Sequence, residues 1–178
     1  MTQPTTTHPI PPHHPAPAAV AAEALAPARP AETADGPPLV ARLVQQHGAA
    51  WVDRDTLDDF LCRGGDQVLF FQGDPVRFPE VLDLAVVLPE LQRAFPGRFH
   101  LGVVRRADED AVAARFGANR WPALLFLRDG QYVQLLPGMH DWTDYLRLVA
   151  DALALPARRA PSVGIAVVAA GSAGPGCH

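Results

Sequence analysis

The apolar and polar positions divide the chain into a patterned middle and two unpatterned ends. In the middle, Leu39, Val40, Leu43 and Val44 repeat at helical spacing, and Gly48 ends the helix they predict. Ala49 to Val52 reads as a short strand. Asp55 is placed to cap a helix carrying Leu57, Phe60 and Leu61, which Gly64-Gly65 stops. Gln67 to Gln72 is an apolar run between two glutamines, suited to a strand covered on both faces. A long helix is predicted from Pro79 to Phe95. Pro89 falls inside it and is expected to kink it, because the ring removes one hydrogen bond. Arg98 to Val104 reads as a strand with Phe99, Leu101 and Val103 alternating. Asp108 is placed to cap a short helix bearing Val112 and Phe116, closed by Gly117. Ala123 to Leu127 and Tyr132 to Leu136 read as two strands joined by a hairpin at Arg128-Asp129-Gly130-Gln131. Asp141 is placed to cap a last helix with Trp142, Tyr145, Leu146, Val149 and Leu153 on its apolar side.

The order of elements is helix, β, α, β, α, β, α, β, β, α. Strands separated by helices imply parallel crossovers, and the closing hairpin adds two antiparallel strands. The expectation is an α/β domain over residues 39–155, with a mixed central sheet flanked by helices on both faces. The ends lack any such pattern. Residues 1–38 hold ten of the 19 prolines, in stretches such as Pro9-Ile10-Pro11-Pro12-His13-His14-Pro15. They read as a disordered, solvated tail. Residues 156–178 read as a loosely ordered tail, although Val163 to Ala170 is a short apolar run. The first basic residue is Arg29, and prolines interrupt the alanine run before it. A secretory signal is therefore rejected and the cytoplasm is the expected compartment.

Composition narrows the function classes. The chain has 178 residues, 48% of them apolar and 19% charged, with a net charge of −4. An acidic balance argues against a general nucleic-acid binder, and no apolar run approaches the ~20 residues of a membrane span. The two cysteines, Cys62 and Cys177, form neither a disulfide scaffold nor a zinc cluster. No cofactor motif is present. His8, His13, His14 and the terminal Cys177-His178 offer only weak metal-binding signals, so no metal site is assigned.

The order of elements resembles thioredoxin, and Phe116-Gly117-Ala118-Asn119-Arg120-Trp121-Pro122-Ala123 through Gly130 carries the clearest likeness. Pro122 falls where that family has its cis-proline. The family's redox cysteines would fall near Val81 and Leu84, both inert, so dithiol exchange is excluded on chemistry and no enzyme is expected. A single-thiol protein acting through Cys62 is one alternative reading, against Cys62 as a small packing residue, and a metal-handling accessory protein using the His and Cys residues of the tails is another. Within the long helix Val81, Leu84, Ala85, Leu88, Leu91 and Phe95 form one stripe. Leu82, Val86 and Val87 lie outside it, amid Asp74, Glu80, Asp83 and Glu90. They mark either a helix buried on two sides or an apolar patch edged by carboxylates, suited to a basic and greasy ligand.

A cysteine-free thioredoxin-like core with a Pro79-Glu80 helix start, Pro89, Trp121-Pro122 and Leu136-Pro137-Gly138-Met139 resembles the HyaE/HupG hydrogenase-expression family. The resemblance implies a non-catalytic chaperone in nickel–iron hydrogenase maturation. Its implied partner is the hydrogenase small-subunit precursor with its twin-arginine signal peptide, two arginines followed by an apolar segment. Other hydrogenase accessory proteins are further candidates. The peptide-binding residues expected on this reading are Asp74, Glu80, Leu82, Asp83, Val86, Val87, Glu90, Trp121 and Pro122.

Overall fold

A computed structural model of the chain describes residues 35–161. Helix α1 (Pro38–Gln46) leads to strand β1 (Ala50–Val52), α2 (Leu57–Leu61) and β2 (Asp66–Phe71). Helix α3 (Val81–Ala94) and strand β3 (His100–Val104) follow. A 3-10 turn (Arg106–Asp108) runs into α4 (Glu109–Phe116). The hairpin β4 (Ala123–Arg128) and β5 (Gln131–Pro137) precedes α5 (Trp142–Ala154).

The strands form one mixed sheet in the order β1-β3-β2-β4-β5. β3 runs parallel to both β1 and β2, while β4 is antiparallel to β2 and β5 to β4. The hairpin is set by Asp129 and Gly130, at φ 50° and 73°. Both lie in the left-handed region that tight two-residue hairpins require. Each face of the sheet has its own core. Val40, Leu43, Leu84, Leu88, Tyr145 and Val149 bring α1, α3 and α5 to one face. Leu57, Phe60, Val112 and Phe116 bring α2 and α4 to the other. Central β2 is sandwiched between them, which is why Val68 to Phe71 alternate between the two clusters and none reaches solvent. Gly102 permits the second packing. A Cβ there would lie 2.9 Å from Phe60, Leu69 and Val52 atoms.

Of three expected caps, one moves and two keep their N-cap position without a side-chain bond. Asp53, not Asp55, organises the start of α2: its Oδ1 accepts from the Thr56 N–H at 2.8 Å, the Asp55 N–H at 3.1 Å and the Thr56 hydroxyl at 2.7 Å. Asp108 makes no side-chain cap and instead accepts Arg54 Nε at 2.6 Å. Asp141 occupies the N-cap of α5 without a side-chain bond. The long helix begins at Val81 rather than Pro79, because Phe78 and Pro79 carbonyls first close tight turns with the Val81 and Leu82 N–H groups. It continues through buried Pro89 to Ala94. Trp142, expected inside, is 45% exposed.

Contacts extend past both pattern boundaries. Asp35 pairs with Arg105. Arg158 donates its N–H to Tyr132 O at 2.7 Å and Nε–H to Val133 O at 2.8 Å. The remainder of both tails lies outside the described residues.

Candidate functional site

The turn from β2 into α3 is built by its own side chains. Asp74 Oδ1 accepts the Val76 N–H at 2.8 Å, and the Asp74 carbonyl accepts the N–H groups of Arg77 and Phe78. Gly73 sits at φ 71°, and a Cβ there would come 2.7 Å from Trp121 Cβ and 2.9 Å from Phe78. Only glycine lets the turn lie this close to the tryptophan. The Trp121-Pro122 bond is cis, as the family resemblance led one to expect, with Pro122 buried and Trp121 half-buried against the α2/α4 core.

Glu109, the first residue of α4, fixes the same turn from below. Its carboxyl accepts the Gln72 N–H at 2.5 Å and the Gly73 N–H at 3.0 Å. It is almost fully buried, and burial pushes it up to about 7 despite the Gly73 and Gln72 N–H groups and the nearby Arg106 charge. Arg106 lies 4.0 Å from Asp74, and its Nη1 is buried without a hydrogen-bond partner among the described residues. Together these groups wall an open cleft of about 420 Å³ that includes Asp74, Arg77, Phe78, Arg106, Glu109 and Trp121. Sequence pattern missed Glu109 and Arg106. A glutamate beside a presumed cap at Asp108 gives no sign that it turns inward.

The nine residues expected to bind peptide are spread over more than one surface. Asp74 and Trp121 line the cleft just described. Leu82 and Val86 lie one turn apart on α3, 36% and 57% exposed, with Asp83 on the same side. Val86 and Glu90 line a small cleft against α1 with Leu39, Arg42 and Arg93. Val87 is half-buried against the core. Glu90 pairs with Arg93 and Asp74 faces Arg106, whereas Glu80 and Asp83 enter no ion pair among the described residues. Val76, 83% exposed on the turn, adds apolar surface that sequence pattern did not single out.

The positions that carry thioredoxin's cysteines in the resemblance, Val81 and Leu84, are buried apolar side chains under α3. The fold itself matches a mutant thioredoxin from Halobacterium salinarum. The TM-score is 0.50 at 19% identity, covering 59% of this chain and 90% of that one. The model of the family described as hydrogenase-1 expression protein HyaE matches residues 39–145. The chain belongs to the HyaE family. Among HyaE-family relatives, the hydrogenase expression/formation protein HoxO of Cupriavidus necator is 58% identical over 144 residues, covering 80% of this chain and 89% of that protein. HupG of Bradyrhizobium diazoefficiens, also a hydrogenase expression/formation protein, is 39% identical over 127 residues, covering 69% and 86%.

In this HyaE-family chain Cys62 follows α2 and is exposed, which corrects its expected packing role. It lines a cleft with Gly64, Asp129 and Gly130, at the hairpin end of the sheet and away from the β2–α3 turn. Among the described residues no three His, Cys, Asp or Glu side chains group as metal ligands. No described helix is long and apolar enough to cross a membrane. His8, His13, His14, Cys177 and His178 lie outside the described residues.

Proposed function

We propose that this chain is a non-catalytic chaperone of nickel–iron hydrogenase maturation that binds the small-subunit precursor at its twin-arginine signal peptide. Its relatives' description as hydrogenase expression/formation proteins supports the pathway. One observation carries the ligand: an exposed apolar pair, Leu82 and Val86, stands on α3 beside two carboxylates, Glu80 and Asp83, that no internal cation neutralises among the described residues. Apolar surface edged by unpaired negative charge favours a ligand that is greasy and basic. The peptide's arginines lie toward Glu80 and Asp83, its apolar part over Leu82 and Val86, and Trp121 borders the site, while Pro122, expected to border it too, is buried behind the tryptophan. Arg77, Arg106 and Arg120 stand around Trp121 with Asp74 and Asp110 among them, so the stronger pull on the peptide's arginines comes from the α3 side. Val87 supports the apolar strip from beneath. Asp74 and Glu90, engaged with Arg106 and Arg93, contribute less to the attraction.

Calorimetry of the full chain with a synthetic twin-arginine signal peptide tests this. Expected is one-to-one binding that falls about tenfold, or ~1.4 kcal/mol, in Leu82→Asp/Val86→Asp. No heat with any hydrogenase small-subunit signal peptide overturns the reading, and unchanged affinity in that variant removes α3 from it. The exposure of Cys62 favours a second reading, a single-thiol protein. Iodoacetamide labelling rates decide it: a reactive thiolate is modified fast well below the ordinary thiol pKa of ~8.5, and slow labelling there rejects it.

A further inference from the structure

Three clefts meet at Asn119, between α4 and β4. One is the cleft beneath the β2–α3 turn. A second, of about 310 Å³, is walled by Phe78, Trp121, Pro137 and Gly138. The third, of about 540 Å³, is walled by Gly117, Arg159, Ala160 and Pro161. This third cleft holds the last described residues. Arg158 is tied to β5 by two hydrogen bonds, and its guanidinium lies 5.5 Å over the Tyr132 ring. The Pro161 carbonyl then sits where a Gly117 Cβ would collide with it, so the bare glycine admits the chain here. The chain beyond Pro161 therefore departs from a fixed point beside Asn119.

Its next residues are Ser162 and the run Val163-Gly164-Ile165-Ala166-Val167-Val168-Ala169-Ala170, with no charged side chain from Ala160 to Cys177. The cleft beyond Asn119 presents half-buried Trp121, together with Phe78 and Pro137, edged by Arg77, Arg106 and Arg120 and by the carboxylates of Asp74 and Asp110. Such a surface gains by covering aromatic area, and its mixed rim suits an occupant without net charge. The uncharged apolar run meets both conditions. Extended, residues 162–170 reach about 30 Å, more than enough to cross from one cleft to its neighbour. A short tether also holds the run at an effective concentration in the millimolar range, so weak contacts suffice.

We propose that Val163–Ala170 folds back into the cleft at Trp121 and Phe78 and occupies it as an intramolecular ligand. Arg158-Arg159 with this run beyond them repeats the order of two arginines and an apolar segment. If the proposed function holds, on which this last step rests, the run competes with the signal peptide for the Trp121 side of the site. A site nine-tenths occupied by its own chain binds an outside ligand about tenfold more weakly.

The test uses the full chain carrying Trp51→Phe and Trp142→Phe, so that only Trp121 emits, with and without Val167→Asp/Val168→Asp. Charging the run is expected to shift Trp121 emission to the red, to raise its quenching by acrylamide, and to tighten signal-peptide binding by about tenfold. Unchanged emission and quenching overturn the docking, whether or not the peptide binds. Shielding that grows with protein concentration overturns it in favour of a second copy as occupant. A red shift without any peptide binding upholds the docking and overturns the proposed function instead. Should the tryptophan replacements unfold the protein, fluorine NMR of the fluorotryptophan-labelled full chain gives the same readout, with the Trp121 signal assigned by Trp121→Phe.

Discussion

Strand β2 has a buried glutamine near each end, Gln67 within it and Gln72 just after it, and the two keep different company. At the hairpin end Gln67 donates Nε2–H to Leu61 O at 2.9 Å and Gly64 O at 3.3 Å, and its Oε1 accepts the Gly130 N–H at 3.1 Å. Asp129 completes that corner by accepting the Gly65 N–H and donating its own N–H to Gly65 O. At the other end Gln72 donates to Asp35 O and Val104 O, but its Oε1 has no partner among the described residues, and neither has Arg106 Nη1. A buried carboxyl, Glu109, accepts the Gln72 and Gly73 N–H groups at the same end. Incomplete buried polar groups are uncommon, because each one is costly. The hairpin end is finished structure. The turn end keeps unsatisfied groups beside an open cleft, where selection for binding and selection for stability need not agree.

Removing each glutamine separates the two ends most sharply. Gln67→Leu leaves Gly64 O and the Gly130 N–H without their partner and takes one of two donors from buried Leu61 O, and it is expected to cost about 2–4 kcal/mol in urea unfolding, with signal-peptide affinity unchanged in the folded fraction. Gln72→Leu strands two carbonyls but also removes the unpartnered Oε1, so its expected cost is smaller, about 1–2 kcal/mol. Equal costs would break the contrast. Glu109→Ala leaves the Gln72 and Gly73 N–H groups unpaired, for an expected loss of about 1–3 kcal/mol. Unlike Gln67→Leu, it is expected to weaken peptide binding, because the Gly73 turn carries Phe78 and Asp74 toward the site.

The hairpin end was the more legible one in the sequence. Asp129-Gly130 announces its turn, and a run bracketed by Gln67 and Gln72 announces a strand covered on both faces. The apolar stripe of α3 and the cis bond at Pro122 also emerged as expected, the first from spacing and the second from resemblance. What escaped depends on which of two neighbours turns inward. Asp53 does the work expected of Asp55, and Glu109 turns in while Asp108 pairs outward with Arg54. Residue type cannot separate such pairs, since tertiary contacts decide them. The same limit applies to the acidic group around α3. Four carboxylates near one helix look alike in sequence, yet two face arginines and two do not among the described residues.

The pH dependence of stability sharpens the turn end further. Glu109 titrates near its ordinary value of 4.5 when unfolded and at about 7 when folded. Between those values the folded chain holds a proton that the unfolded chain releases. Its contribution is therefore fully present below about pH 4.5, declines as pH rises, and is gone above about pH 7. Asp53, held below its ordinary range chiefly by the Thr56 hydroxyl, acts in the opposite sense and only at more acidic pH. The expected result is that urea midpoints of the wild type fall between about pH 5 and 7 relative to Glu109→Gln, with Gln67 variants keeping the wild-type slope. A parallel pair of profiles would show that Glu109 is not the titrating group.

The smallest expected effect separates attraction from contact. Glu80→Gln/Asp83→Asn removes two carboxylates that hold nothing in the fold among the described residues, so stability should stay within ~0.5 kcal/mol of wild type. The peptide's apolar part still finds Leu82 and Val86, so its dissociation should barely change. Association should slow a few-fold at low salt, because the carboxylates steer the arginines before contact. That difference should fade as ionic strength passes ~0.15 M, where screening shortens the field to about 8 Å. Stopped-flow kinetics at two salt concentrations provides the measurement. A loss that persists in high salt would mean that Glu80 and Asp83 touch the peptide directly, and would move the centre of the site from the apolar pair to the helix start.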